Sequence, residues 1–199
     1  MIITIDIGNT NISFGRFQDD SSEVKDYANF QTDKAMTTDD IALKYESLLG
    51  LWKKHRPKGE KLNLKHKAVL ISSVVPSLNY PFEHLFEKYY RTKPIFVESE
   101  NIPVKVNYDY PREIGADRLV NAYAGNRLYP GSNLIIVDFG TATTFDIISA
   151  NESYEGGVIM PGILSSLRSL EEKASKLPHI DLSTVPNIVG KNTVDGIRS

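Results

Sequence analysis

Apolar and polar residues alternate at the start of the chain, and this pattern predicts a β-hairpin. Residues 1–7 are rich in β-branched side chains, and Ile12 and Phe14 alternate with polar residues over positions 11–17. Gly8, Asn9 and Thr10 lie between these two runs and are typical of a tight turn. We therefore expect two antiparallel strands joined at residues 8–10.

Apolar residues at helical spacing predict two helices in the first half of the chain. The first is capped by residues 37–40, and the second begins at Pro81. The residues expected to face inward are Ile41, Tyr45, Leu48, Leu49 and Trp52 from the first helix, and Phe82, Leu85, Phe86 and Tyr89 from the second. Residues 53–67 are expected to form a solvated connection, 68–75 a buried strand ending at Pro76, and 94–97 a short strand.

The second half repeats this pattern after a further helix, which is predicted from Leu119, Ala122, Tyr123 and Leu128. A second hairpin is expected over residues 133–149, and residues 154–160 form another strand. Pro161 and Gly162 open a helix that carries Ile163, Leu167, Leu170 and Ala174. The predicted order is β-β-α-β-α-β, then a helix, then β-β-β-α, which indicates an α/β protein of two related halves.

The two predicted hairpins carry similar polar residues at their turns. In register, Asp6 aligns with Asp138, Gly8 with Gly140, and residues 9–11 with residues 141–143. A repeat over so long a period indicates duplicated domains rather than a solenoid. We expect the domains to be residues 1–115 and 116–199, with the second shorter than the first and incomplete at its C-terminus.

The turn residues are of the types that bind phosphate. Glycine lets the backbone approach a ligand closely, and the exposed N–H groups of such a turn form an anion-binding concavity. Threonine and asparagine add donors, and an aspartate just before the turn can hold a cation. The same residues occur in ordinary hairpins, but two copies within apolar strands favour a phosphate site. The sequence has no G-x-x-x-x-G-K-[ST] loop.

The composition restricts the function further. The chain has 199 residues with a net charge of −2, which gives no reason to expect a nucleic-acid partner. The absence of cysteine excludes disulfides, thiolate zinc sites and a thiol nucleophile. The sequence shows neither a signal peptide nor an apolar run of membrane-spanning length, so we expect a soluble, cytoplasmic protein. The histidines, which have no ligand-like spacing, are His55, His66, His84 and His179.

Residues 115–118, with the sequence GADR, lie between the two halves at the start of a predicted helix. On residue types alone, Asp117 fits a helix cap and Arg118 fits a surface pair with Glu113. Between two phosphate-binding turns, the same two residues also fit catalysis. The carboxylate can accept a proton from an attacking hydroxyl, and the guanidinium can bind a substrate carboxylate. Both interpretations remain open on these grounds.

Six stretches of the chain resemble type III pantothenate kinase, a family of the acetate and sugar kinase, heat-shock chaperone and actin superfamily. They are DIGNTNISFG (6–15), SSVVPSL (72–78), YDYPREIGADRLVNAYAG (108–125), VDFGTATTFD (137–146), GGVIMPGI (156–163) and GKNTVDGIRS (190–199). The resemblance implies two duplicated actin-like (ribonuclease H-like) domains with a nucleotide cleft between them. Because the family continues past the last stretch, it also implies that the second domain is incomplete.

The resemblance implies an activity, the ATP-dependent phosphorylation of pantothenate to 4′-phosphopantothenate, which is the first step of coenzyme A biosynthesis. It assigns the catalytic base to Asp117. The residues that it assigns to ATP are Asp6, Ile7, Gly8, Asn9, Thr10, Asn11, Ile12, Ser13 and Thr141. Those that it assigns to pantothenate are Tyr108, Gly115, Ala116, Asp117, Arg118 and Thr193.

The resemblance further implies that Asp138 holds a monovalent cation, K⁺ or NH₄⁺, and that Asp6 lies near the Mg²⁺ of Mg-ATP. Tyr110 is an alternative to Tyr108, because the two tyrosines flank Asp109, but the spacing to the following proline favours Tyr108. The family also implies a homodimer with the pantothenate pocket at the subunit interface.

Three other functions fit parts of this pattern. One is a catalytically weak or inactive homologue that acts as a transcriptional accessory factor. Another is a chaperone-like module that binds a nucleotide without a small-molecule acceptor, and a third is a polyphosphatase of the same superfamily. The GADR segment argues against the chaperone-like module, because binding ATP alone does not require it.

Overall fold

Two β-sheets organise the described part of the chain, which comprises residues 1–18, 23–55, 64–173, 180–181, 183 and 187–199 of this computed structural model. The strands of the first sheet are β1 (Ile2–Ile7), β2 (Asn11–Phe17), β3 (Val24–Gln31), β4 (Ala68–Ser73) and β5 (Ile95–Phe96), in the spatial order β3-β2-β1-β4-β5. Those of the second are β6 (Lys105–Val106), β7 (Leu134–Phe139), β8 (Ala142–Ile148) and β9 (Ser153–Pro161), in the order β6-β9-β8-β7.

The helices of the described residues are α1 (Thr38–Lys54), α2 (Pro76–Tyr90), α3 (Ala116–Leu128), α4 (Ile163–Lys173) and α5 (Thr193–Arg198). A short 3₁₀ helix, Pro111–Glu113, precedes α3. The mixed α/β composition agrees with the prediction. No helix in the described ranges has the length and apolar character needed to cross a membrane.

Both predicted hairpins form, but their turns differ by one residue. The N–H of Gly8 donates to the carbonyl of Asn11 at 3.0 Å, whereas the N–H of Gly140 donates to that of Ala142 at 3.0 Å. The second turn is therefore one residue shorter than the first. The predicted alignment is wrong beyond the turn, where Asn11 corresponds to Ala142 instead of Thr143.

Strand β3 is an element that the sequence pattern does not predict. Its sequence, VKDYANFQ, has no fully buried residue, and it pairs only with β2 at the edge of the first sheet. An edge strand packs little apolar surface, so the alternation that reveals a half-buried strand is weak here. Because β3 was not predicted, the loop that follows it was not predicted either.

Helix α1 matches the prediction, because its start is determined by local hydrogen bonds. Thr37 is the N-cap residue and forms a reciprocal capping box with Asp40. The five residues predicted to face inward from this helix are all buried.

The predicted start of α2 is wrong, since the helix begins at Pro76 and contains Pro81. Proline is favoured in the first helical position, where its missing N–H leaves no hydrogen bond unmade. The prediction that Tyr89 faces inward is wrong, since its ring is exposed and its hydroxyl donates to Asp39 at 2.6 Å on the protein surface.

The prediction is partly wrong for the later helices. Helix α3 buries Leu119 and Ala122 but leaves Tyr123 and Leu128 exposed. Helix α4 buries Leu167 and exposes Ile163 and Leu170, while Ala174 lies outside the described residues. The predicted order also lacked β6, the 3₁₀ helix and α5, which are too short to produce a periodic signal.

Two separate apolar cores hold the elements in place. The larger lies between the first sheet and helices α1 and α2, and burying each large side chain there contributes about 1.5–3 kcal/mol. The smaller core joins α3 to the second sheet and comprises Val104, Ile114, Leu119, Ala122, Ile148 and Tyr154. Helix α3 packs on the second sheet through this core and also contacts β4 of the first sheet, so it lies between the two sheets.

His66 sits at the edge of the larger core, and its burial gives the protein a pH-dependent stability. Its Nε2 lies 2.7 Å from the hydroxyl of Tyr45. Burial, assisted by the charge of the N-terminal ammonium, lowers the pKa of His66 to about 4. In the unfolded chain the pKa of this histidine is near 6.5, so as the pH falls the unfolded state binds the proton before the folded state does.

The free energy of unfolding should decrease as the pH falls from about 6.5 to about 4, by up to about 1.4 kcal/mol per pH unit from this residue. Urea unfolding at pH 7 and pH 4.5 measures the decrease in the parent and in His66→Gln, which carries no titrating ring. We expect a smaller decrease in the variant. An equal decrease in both proteins would show that His66 does not contribute.

Candidate active site

The two hairpin turns meet at their threonines. The hydroxyls of Thr10 and Thr141 are 2.7 Å apart, although 131 positions separate the two residues in the chain. Thr32, which follows β3, holds the first turn by donating its hydroxyl to the carbonyl of Gly8 at 2.7 Å and its N–H to that of Thr10 at 2.9 Å. The residues that the sequence assigned to phosphate are therefore brought together from both halves.

A lysine that the sequence analysis missed lies at the first turn. Lys34 donates from Nζ to Oδ1 of Asn9 at 3.1 Å, and both side chains are exposed. This places a positive charge beside backbone N–H groups that are suited to an anion. The only sequence signal was a lysine in the loop after β3, a strand that was itself not predicted.

Two of the residues assigned to ATP do not offer their side chains to a ligand. Ile7 and Ile12 are fully buried in the larger core, one on each strand of the first hairpin. Their side chains hold the hairpin in position, and only their backbone atoms remain for a ligand. The residues exposed at this turn are Asn9, Thr10 and Asn11.

Three carboxylates line one cavity of about 720 Å³ below the turns. Asp6 comes from the end of β1, Asp138 from the end of β7, and Asp117 from the first turn of α3. Apolar side chains, including Phe17, Leu70 and Val120, form much of the remaining wall. Sequence reasoning selected all three aspartates, and the structure brings them to one cleft.

The carboxylates perturb one another across this cavity. Removal from water raises the pKa of Asp6, and the charges of Asp117 and Asp138 raise it further, while a hydrogen bond from Ser72 at 2.9 Å opposes the change. Removal from water also raises the pKa of Asp117, with a further contribution from Asp138. The cleft thus holds an excess of negative charge that a cation would compensate.

Asn121 is a further residue of the cavity that sequence reasoning missed. It lies one turn after Asp117 on α3, and its Nδ2 donates to Oδ2 of Asp138 at 3.4 Å. The spacing of four residues from Asp117 places both side chains on one helix face. That spacing was available in the sequence, but nothing indicated which face of the helix would meet the cleft.

Gly115 and Ala116 line a second cavity, of about 750 Å³, whose wall contains both polar and apolar groups. Asn79, whose Oδ1 accepts a hydrogen bond from Ser73 at 2.6 Å, and the exposed Arg112 are part of that wall. The residues assigned to pantothenate are therefore divided, because Asp117 faces the first cavity. Gly115 is the N-cap residue of α3, so the two cavities meet at the start of this helix.

Asp117 does not cap α3, so the capping interpretation is wrong. The N-cap residue is Gly115, and Oδ1 of Asp117 accepts the N–H of its neighbour Arg118 at 2.8 Å. The proposed surface pair between Arg118 and Glu113 is also wrong. Arg118 is buried, and its Nε donates to Oδ1 of Asp146 at 2.6 Å. Its side chain is not among the described residues that line either cavity.

The two tyrosines considered for the substrate lie in different surroundings. The ring of Tyr108 is 6.0 Å from that of Tyr154, which contacts the ion pair of Arg118. Tyr110 is more exposed and lines a separate groove beside Pro111. Thr193 is exposed on α5 and is not one of the described residues that line the two cavities.

One family of known sequences matches nearly the whole chain. The family model described as type III pantothenate kinase matches residues 2–199. Among solved structures, a protein described as a Baf family transcriptional activator from Campylobacter jejuni is 20% identical, with a TM-score of 0.54. The match covers 98% of this chain and 71% of that one, and at this identity it shows the fold alone.

Two further solved structures match at lower TM-scores. The type II variant of the Ppx/GppA phosphatase of Aquifex aeolicus is 13% identical, with a TM-score of 0.46 over 84% of this chain and 54% of that one. Acetate kinase from Porphyromonas gingivalis is 13% identical, with a TM-score of 0.42 over 81% and 57% of the two chains. This chain thus spans little more than half of each.

Proposed function

Because this chain belongs to the type III pantothenate kinase family, we propose that it phosphorylates pantothenate to 4′-phosphopantothenate with ATP, the first step of coenzyme A biosynthesis. The family is one of kinases that use ATP with a divalent metal. One observation carries the proposal for this chain. Two turns whose residues suit phosphate contact each other, and three aspartates line the cleft beside them. We place the reaction in the cytoplasm.

We propose that the two predicted halves, residues 1–115 and 116–199, are duplicated actin-like domains with the nucleotide cleft between them, and that their boundary lies before Val104, because Val104, β6 and Ile114 belong to the second core and sheet. The support is the matching arrangement of their first three strands. In each half an antiparallel hairpin is extended by a third strand, and the register shifts at comparable places, between Arg16 and Phe17 and between Ile147 and Ile148.

The turns supply the groups that would bind the ATP phosphates. Backbone N–H groups around Gly8 and the hydroxyls of Thr10 and Thr141 can donate to phosphate oxygens, as can Lys34. Ser13, also assigned to ATP, lines the carboxylate cavity rather than the turn. Catalysis of phosphoryl transfer consists mainly of such positioning and charge neutralisation.

The carboxylates of this site fit the expected cations. Within the described residues no group of three acidic or histidine side chains forms a complete metal cage. Mg²⁺ needs none here, because it is usually held by one or two carboxylates together with water and substrate phosphates. Asp6 is suited to this ion, and Asp138 is suited to a monovalent cation. When bound, the divalent ion supplies neutralisation of phosphate charge.

Asp117 is suited to accept the proton of the attacking hydroxyl. In the proposed reaction the 4′-oxygen of pantothenate forms a bond to the γ-phosphorus. The bond between the γ-phosphorus and the oxygen that bridges it to the β-phosphate breaks, and ADP leaves. The pKa of Asp117 is raised toward neutral pH, and a general base is most effective when its pKa is close to the pH at which it works. The acceptor would approach past Gly115 and Ala116, which line the adjoining cavity.

We also propose that the protein acts as a homodimer with the pantothenate pocket at the interface. Thr193 is exposed and lies outside both described cavities. Thr193 can therefore contact pantothenate only if the binding pocket includes a further part of the assembly. A second subunit would supply that part. Tyr108 remains our preferred tyrosine at the pocket, because it contacts the cluster around Arg118.

Product formation tests the proposed function directly. The protein is incubated with Mg-ATP and pantothenate, and 4′-phosphopantothenate is detected by mass spectrometry, with pantothenate omitted in the control. ATP binding without product would favour the inactive accessory factor. Release of phosphate without pantothenate would favour a phosphatase.

The role of Asp138 predicts a dependence on the monovalent cation. Replacing K⁺ by Na⁺ at constant ionic strength should lower turnover several-fold, because an aspartate that shares its cavity with two other carboxylates needs a counter-charge of suitable size. Initial rates in the two salts provide the measurement, and the Asp138→Asn variant serves as the comparison. Equal parental rates in both salts would remove this role from Asp138.

A further inference from the structure

A buried polar cluster lies behind the cleft, on the far side of the first turn of α3. Nε of Arg118 donates to Oδ1 of Asp146 at 2.6 Å, and the hydroxyl of Tyr154 donates to the same oxygen at 3.0 Å. The exposed fraction is 7% for Arg118 and 0% for Asp146. The reaction proposed above makes no direct use of this cluster.

The cluster is not explained by stability. Among the described residues, Nη2 of Arg118 and Oδ2 of Asp146 are the buried side-chain atoms without a hydrogen-bond partner. Unpaired buried polar atoms are unfavourable, and a buried ion pair often contributes less than apolar residues of similar size. A buried arrangement that is unfavourable in this way suggests that it serves a neighbouring group.

That neighbouring group is the carboxylate of Asp117. The backbone N–H of Arg118 donates to Oδ1 of Asp117 at 2.8 Å, so the same arginine touches the proposed base and the buried aspartate. Asp146 lies on β8 and Tyr154 on β9. The cluster therefore ties the first turn of α3 to the second sheet. Gly115, the N-cap residue, provides no side-chain hydrogen bond to do so.

The surroundings of the guanidinium leave it little freedom. A Cβ atom added to Gly157 would lie 2.7 Å from Nη2 of Arg118 and 1.9 Å from the carbonyl oxygen of Phe145. The backbone of Gly157, which has no side chain, therefore packs against the arginine on that side. On another side, its Cζ lies 5.6 Å from the centre of the Tyr154 ring.

We propose that Asp146 and Tyr154 are positioning residues of the active site, which hold Arg118 so that the Asp117 carboxylate stays directed into the cleft. The proposal rests on the proposed function for the role of Asp117. It adds two residues that are not among the described residues lining either cavity, and it gives Arg118 a part that does not require contact with the substrate.

Two variants test the positioning role, because the loss of positioning should lower kcat and leave the KM for ATP nearly unchanged. Tyr154→Phe removes one hydroxyl from a ring that stays packed, and Asp146→Asn removes the charge. Misplacing a catalytic group by about 1 Å can cost on the order of 10²-fold. We expect kcat to fall about 10- to 100-fold in Asp146→Asn and about 3- to 10-fold in Tyr154→Phe, with the KM for ATP within about twofold of the parent.

The matched control is Asp26→Asn, which changes another aspartate paired with an arginine, Arg16, in the first sheet. It should retain the parental kcat even if the protein becomes less stable. A kcat that falls equally in all three variants, in proportion to their melting temperatures, would overturn the proposal. If Asp146→Asn does not fold, Tyr154→Phe decides, and an unchanged kcat in this folded variant overturns the proposal.

A measurement without turnover separates this proposal from the proposed function. The carboxyl carbon of Asp117 can be followed by NMR against pH in protein labelled with ¹³C-aspartate, with Asp117→Asn providing the assignment. The charged groups that face it are Asp6 on β1, Asp138 on β7, Asp146 on β8 and Arg118 on its own helix.

Asp146→Asn removes a negative charge and leaves Arg118 unneutralised, so the titration of Asp117 should move to lower pH. Tyr154→Phe should alter the chemical shift of the same carboxyl. If the parent does not phosphorylate pantothenate but Tyr154→Phe alters the Asp117 signal, the proposed function fails, while the effect of the cluster on the position of this carboxylate remains supported. An unchanged Asp117 signal in both variants overturns the positioning role even if the parent is an active kinase.

Discussion

Replacing Asp117 by asparagine should lower the rate of pantothenate phosphorylation about 10²- to 10⁴-fold, the usual effect of removing a general base. This corresponds to about 3–5.5 kcal/mol of activation free energy. The amide cannot accept the hydroxyl proton, but its oxygen can still accept the N–H of Arg118. Because Asp117 is not the N-cap residue, the free energy of unfolding should change by no more than about 1 kcal/mol.

Steady-state rates and a melting curve on the same preparation provide the measurement. Glu87→Gln is a matched control, since it converts an exposed carboxylate of α2 to an amide away from the cleft. The parental rate should also fall as the pH decreases through the raised pKa of Asp117, because a protonated base is inactive. A variant with at least half of the parental rate would disprove the catalytic role.

Replacing Asp6 by alanine should lower kcat/KM for Mg-ATP by on the order of 10²-fold, comparable to the loss of one electrostatic contact to a transferring group. Asp6 is the second-last residue of β1 and lines the cleft, while its neighbours Ile5 and Ile7 belong to the core. The fold should therefore remain intact. Titration of activity against Mg²⁺ at fixed ATP measures the effect, and a higher Mg²⁺ requirement is expected.

Ser72→Ala gives a graded comparison, because it removes only the hydroxyl that donates to Asp6 at 2.9 Å. That hydrogen bond opposes the rise in the pKa of Asp6, so its loss should raise this pKa further and reduce activity by less than the alanine variant of Asp6. If Asp6→Ala unfolds most of the protein while its folded fraction uses Mg-ATP normally, Asp6 is structural.

The sequence alone determined the features that depend on neighbouring residues. The apolar strands, the turns at Gly8 and Gly140 and the capping box of α1 follow from short-range sterics and hydrogen bonds, and the structure has all of them. The paired D-x-G turns also selected Asp6 and Asp138 for the cleft. The chemistry of these turns is local, so it could be identified before any fold was known.

Only the tertiary structure decided how distant segments meet. Thr10 contacts Thr141 across 131 positions, and Arg118 finds its partner Asp146 28 positions later. Lys34 reaches the first turn through a loop after an edge strand that has almost no apolar signal. Whether an arginine lies at the surface or in a buried ion pair depends on which sheet its helix packs against. That choice is made by apolar area across the whole chain, and no short stretch of sequence contains it.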